Sequence, residues 1–128
     1  MSYKGKRIMQ LVFIILLALQ FIFSATAKLN CHMLARFESW GYTEEFMYLI
    51  GTIEFTAAIG LFINRTKVLS IVALVMIMIG AIYTHLSYDQ YFEVLINIGL
   101  IGLLTIVLWL EREMKLAPED VKNSNAPF

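Results

Sequence analysis

The residues able to do chemistry in this 128-residue chain are few, and one stands where it costs most. Glu54 lies in the middle of an apolar run from Phe46 to Ile63. An ionisable side chain at that depth in lipid costs roughly 2.5–3.5 kcal/mol on insertion scales, so Glu54 must face a bundle interior. Gly51 precedes it by three residues and Ala58 follows it by four, which keeps that helical face small. A small face permits close helix approach or leaves room for a ligand. The residues leave two roles open for the carboxyl: a hydrogen bond across the bundle as helix glue, or the handling of a proton or ligand.

Depth along the helices supplies companions. Gln20 lies about 10 Å below the outer end of the first apolar run and Glu54 about 12 Å below that of the second, so the two share a level. His85 closes the third run at the outer boundary, and Asn97 enters the fourth at a depth of about 5 Å. Gln20, Glu54, His85 and Asn97 therefore form an expected polar column in the outer half, with Arg36 and Glu38 at its mouth. No such column is expected in the inner half.

These residues do not make a catalytic or metal-binding set. The depth difference between Glu54 and His85, roughly 12 Å, argues against a shared ion. His32 and His85, one in a loop and one at a helix end, are a weak basis for bis-His haem ligation. Cys31 is the single cysteine and cannot form a dithiol pair. His85 suits an interfacial hydrogen bond better than general-base work. No cofactor is required by the residues themselves.

The elements that must position these groups follow from hydropathy. The chain is 59% hydrophobic and 16% charged, against about 45–50% and about 25% in soluble domains. Ten Lys and Arg balance ten Asp and Glu, so no excess cationic charge exists to hold nucleic acid. Apolar runs at Ile8–Ala27, Phe46–Ile63, Val68–His85 and Val94–Leu110 are each long enough to cross about 30 Å of hydrocarbon as a helix. The expected architecture is an all-α, integral membrane four-helix bundle over residues 1–110, followed by a polar tail, 111–128, read as a short helical overhang and then disorder.

Between the first two runs, Leu29, Met33, Phe37 and Trp40 recur as one stripe of an amphipathic helix lying on the outer face, with Asn30 as its N-cap and Gly41 as its stop. Eight basic residues fall on the side of both termini and the second connection, whereas only Lys28 and Arg36 fall on the other. That asymmetry predicts both termini in the cytoplasm, and the expected location is the plasma (inner) membrane. The basic start and Ala25-Thr26-Ala27 resemble a cleavable signal. The first run is longer than the roughly 7–15 residues of a signal core, so it is read as a retained span.

A family resemblance rests on Lys28-Leu29, Phe37, Gly41-Tyr42, Gly51-Thr52-Ile53-Glu54, Asn64-Arg65, Ala81-Ile82-Tyr83-Thr84-His85-Leu86 and Asp89. Together these resemble the DoxX-like family of small four-span membrane proteins over roughly residues 8–110. The sequence departs from the pattern at Thr43 and Asn64, where Pro is frequent, and at Tyr88, where Gly is common. The resemblance implies a four-helix bundle and association with redox assemblies, since relatives include a subunit of a thiosulfate:quinone oxidoreductase and a mycobacterial membrane component of an oxidative-stress complex. Other relatives are assembly chaperones of membrane receptors.

Two functions are expected from this reading. The first is a non-catalytic subunit or assembly factor of a redox-linked membrane complex, partnered by lipid and by another protein or a second copy. The alternative is a quinone-binding component of an oxidoreductase in which Glu54, with His85, handles protons.

Overall fold

The computed structural model describes residues 2–124 and is all-α. Helix α1 spans Tyr3–Leu29, α2 Leu34–Ser39, α3 Glu44–Gly60, α4 Lys67–Ser87, α5 Tyr91–Leu116 and α6 Glu119–Ser124. Three of these, α1, α4 and α5, are long and apolar enough to cross a membrane. Helix α3 carries Glu54 and has 17 residues. The four longer helices pack in a ring: α1 against α3 and α5, and α4 against the same two. The chain is thus an integral membrane helical bundle.

Local chemistry sets the ends. The Ser2 hydroxyl accepts from the Gly5 amide at 3.0 Å, and Thr43 accepts from the Phe46 amide at 3.1 Å, each satisfying a helix-start donor. Glu44 and Glu45 in the first turn of α3 complement its dipole. Helix α2 stops at Gly41, whose φ of +82° is a left-handed conformation that suits glycine. The α3–α4 turn is stitched by Thr66 Oγ1, which donates to the Gly60 carbonyl at 2.9 Å.

Leu17, Phe21, Leu61, Leu74 and Leu104 form the dry centre, none more than 1% exposed. Phe23, Leu69, Leu95 and many other large apolar side chains point outward, as a lipid-facing surface requires. Lipid tails are as apolar as leucine, so association rests on close packing and polar contacts rather than on the hydrophobic effect. Gly51 is the clearest case. A Cβ there would lie 3.0 Å from Lys28 Cβ and 3.4 Å from the Ala25 carbonyl oxygen, so its lack of a side chain serves the approach of α1.

Two expectations change. Asn30 caps the C-terminus of α1 instead of starting α2, which begins at Leu34 after Met33, so Leu29 of the apolar stripe belongs to α1. Helix α5 continues past residue 110 to Leu116 as a short overhang whose Glu111 and Met114 are buried against the bundle. Residues Glu119–Ser124 then form helix α6 where disorder was expected, and the remainder of the tail lies outside the described residues.

Candidate functional site

The end of the bundle that holds the α1–α2–α3 and α4–α5 connections, here the loop end, contains a cavity of about 630 Å³. Gln20, Arg36, Glu54, His85 and Asn97 all border it. Helix α1 supplies Gln20, Ser24 and Lys28 at a spacing of four, which puts all three on one face. Helix α3 supplies Glu54, α4 supplies Thr84 and His85, and α5 supplies Asn97. The short helix α2 and its exit turn lay Met33, Phe37, Trp40 and Tyr42 over the same space.

The centre of the site is an ion pair. Lys28 Nζ lies 2.8 Å from Glu54 Oε1, with the two side chains 9% and 1% exposed. Lys28 also donates to Ser24 Oγ at 2.6 Å. The partner of Glu54 is therefore Lys28 and not Gln20, which sits on the cavity wall and is exposed. Depth arithmetic missed this because a lysine at the end of an apolar run looks like an interfacial charge. Its four-carbon stem lets the ammonium sit well away from its own Cα. The signal was in the sequence: Gln20, Ser24 and Lys28 form one polar stripe.

Glu54 Oε2, Asn97 Nδ2 and Trp40 Nε1 are buried polar atoms without a hydrogen-bond partner among the described residues. A buried unsatisfied group of this kind costs about 1–3 kcal/mol. All three belong to residues that border the one cavity. They comprise two N–H donors and one carboxylate acceptor.

The cavity roof is held by polar and aromatic contacts. Thr84 Oγ1 donates to the Gly80 carbonyl at 3.1 Å, which commits its only proton, so Tyr42 donates to Thr84 across 2.6 Å. His85 Nδ1 meets Gln90 Oε1 at 2.8 Å. With that oxygen as acceptor, Nδ1 carries the hydrogen and the neutral ring keeps Nε2 as an acceptor. The His85 ring meets Trp40 edge-on at 5.3 Å between centroids, and the Arg36 guanidinium lies over the Trp40 ring at 5.2 Å. Arg36 also pairs with Glu93 on α5 at 3.6 Å, where both side chains are open to solvent. The other mouth residue, Glu38, is exposed and does not border the cavity.

Sequence reasoning also missed a second polar group, at the terminal end where α1 begins and α5 finishes. Glu111 Oε2 accepts from Gln10 Nε2 at 2.8 Å and pairs with Lys67 Nζ at 3.1 Å. Lys67 also reaches Asn64 Oδ1 at 3.2 Å and Gln10 Oε1 at 3.4 Å. The group sits at the boundary of the apolar runs: Gln10, Lys67 and Glu111 come from three helices and meet only because the ring closes.

Among the described residues no group of three or more His, Cys, Asp or Glu is arranged to hold a metal. A model of the DoxX-like family matches residues 12–108. No curated protein and no solved structure matches the chain.

Proposed function

Because the chain belongs to the DoxX-like family, we propose that it is a non-catalytic, redox-linked membrane component whose loop-end cavity binds a small, largely apolar ligand of the quinone class. The observation that carries this reading is the set of three unpartnered buried polar atoms, on Glu54, Asn97 and Trp40, around one cavity. The cavity volume of about 630 Å³ falls within the roughly 300–1,000 Å³ of small-molecule sites. Its walls are mainly aromatic, aliphatic and methionine side chains, which suit a flat apolar ring. Asn97 and Trp40 offer N–H groups to a carbonyl oxygen, and Glu54, held by Lys28 on one oxygen, offers the other to a hydroxyl.

Trp40 reports on the site. In a Trp109→Phe background, a short-chain quinone should quench Trp40 fluorescence saturably, and Asn97→Leu should weaken binding by about 3–10-fold, the worth of one neutral hydrogen bond. Quenching that rises linearly without saturation and is unchanged in Asn97→Leu and Glu54→Leu would reject the pocket.

The half-exposed Arg36–Glu93 pair at the rim supports a second reading, in which a membrane partner docks there. Charge of that kind steers association and is screened by salt. A partner that co-purifies and is released by salt or by Arg36→Glu, without any quenching, would favour docking over ligand binding.

The reading includes four membrane crossings with α3 as the shortest, both termini in the cytoplasm, and the plasma membrane as the site. A reporter active only outside the cytoplasm should be silent at the C-terminus, and strong activity would overturn the orientation.

A further inference from the structure

At the terminal end, two cavities adjoin and share Arg7, Gln10, Asn64 and Lys67. The first, about 320 Å³, continues along an apolar groove of Ile8, Leu11, Ile14, Leu61 and Phe62. The second, about 280 Å³, opens toward Tyr3, Lys115 and Lys122. One flank is therefore hydrocarbon-like and the other basic. Ile8, Leu11 and Phe62 are 45–52% exposed, so the groove lies open on the surface of the bundle.

The position is a membrane boundary in three helices at once. Charge gives way to apolar sequence between Arg7 and Ile8, between Lys67 and Val68, and in reverse between Leu110 and Glu111. The lining contains four cations, Arg7, Lys67, Lys115 and Lys122, against one carboxylate, Glu111. Lys67 is committed to Glu111, Gln10 and Asn64. Lys115 lies within 3.9 Å of Glu111, a loose contact, and Lys122 lies within 3.9 Å of Glu119 and donates to the Lys115 carbonyl at 3.3 Å, which draws the two lysines together. The neighbouring segments carry the same sign: among the described residues at this end, Lys4, Lys6, Arg7, Arg65, Lys67, Arg112, Lys115 and Lys122 stand against Glu111, Glu113, Glu119 and Asp120, eight positive charges and four negative.

We propose that this double cavity is a binding site for an anionic phospholipid, with the phosphate among Arg7, Lys115, Lys122 and Tyr3 and an acyl chain along Ile8, Leu11 and Phe62. Basic pockets between membrane helices select anionic headgroups because cationic side chains and the acyl groove act on the two halves of one molecule. The buried Gln10–Lys67–Glu111 group forms the floor and holds the three helices that make the walls. A free phosphate shares the headgroup chemistry but lacks the chain.

The test is thermal unfolding of the detergent-solubilised full chain with added dioleoyl-phosphatidylglycerol, dioleoyl-phosphatidylcholine or inorganic phosphate at equal concentration. Phosphatidylglycerol should raise Tm by several degrees through linkage, and the other two should not. Lys115→Gln with Lys122→Gln should lose at least half of that rise, while Arg65→Gln with Arg112→Gln, an equal change of charge outside both cavities, should keep it. Lys115 and Lys122 lie outside the core, and Tm without added lipid verifies that the double variant is folded. Equal shifts with phosphatidylcholine, or with phosphate alone, would overturn the lipid site. So would equal loss in the two charge-matched variants, which would reduce the effect to diffuse surface charge.

Discussion

The bundle holds two buried lysine–carboxylate pairs, and they are built in opposite ways. At the terminal end, Glu111 receives both Gln10 and Lys67, and Lys67 has three oxygen acceptors within 3.4 Å. At the loop end, Lys28 holds one oxygen of Glu54 at 2.8 Å while the other oxygen has no partner among the described residues. The first pair is satisfied by its own bonding, although two smaller cavities adjoin it. The second faces a cavity of about 630 Å³ with two further unpartnered donors around it. A satisfied network fixes a structure, whereas a half-satisfied one carries a free-energy cost that a ligand can remove. The terminal pair is therefore a clamp that floors the proposed lipid site, and the loop pair belongs to the proposed quinone-class site itself.

Removal of one partner from either pair should have the largest effect. Glu54→Leu and Glu111→Leu each strand a buried lysine and should cost about 3–5 kcal/mol. The double variants separate the two ends. Lys28→Met with Glu54→Leu should recover most of the loss, since little else depends on that pair. Lys67→Met with Glu111→Leu should remain destabilised, because buried Gln10 keeps only the Val107 carbonyl and loses its bonds to Glu111 and Lys67. Unfolding in mixed micelles measures both, and equal recovery at the two ends would end the distinction.

Next in size is the approach that sets the loop-end pair. Gly51→Val places atoms against Lys28 Cβ and the Ala25 carbonyl and should cost about 1–3 kcal/mol by overpacking. The same change should weaken quinone quenching if Lys28 positions Glu54. Quenching unchanged in a folded Gly51→Val protein would remove the ion pair from the ligand site.

A matched pair of polar-to-apolar changes sharpens the contrast. Gln10→Leu breaks a satisfied network and should cost about 1–3 kcal/mol, whereas Asn97→Leu removes an unpartnered Nδ2 and should leave stability unchanged or raised. A comparable loss in both, read as Tm, would mean that Asn97 is bonded in the folded state and is not held for a ligand. The smallest effect belongs to the rim: Arg36→Ala should cost about 0.2–1 kcal/mol and less in high salt, as exposed ion pairs do.

The sequence by itself determined that the chain is an all-α membrane protein, because long runs without charge have no other stable form in lipid than a helix with its backbone bonds internal. It also located Glu54 as the costly residue, since one carboxyl in an apolar run needs a reason wherever the neighbours lie. The small Gly51 and Ala58 beside it read as a face open to close helix approach or to a ligand, and at Gly51 the space is taken by α1. Periodicity found the stripe Met33, Phe37 and Trp40, and Gly41 marked its end, both local properties of the chain. Tertiary structure alone decided the pairings. Lys28 reaches Glu54 because α1 touches α3 at Gly51, and Gln10, Lys67 and Glu111 meet although they are scattered over 101 residues of separation. Which face of each helix turns inward, and which charge folds back along its stem instead of staying at the interface, depends on the closure of the ring. That closure depends on contacts between helices far apart in the chain, a condition no single segment can express.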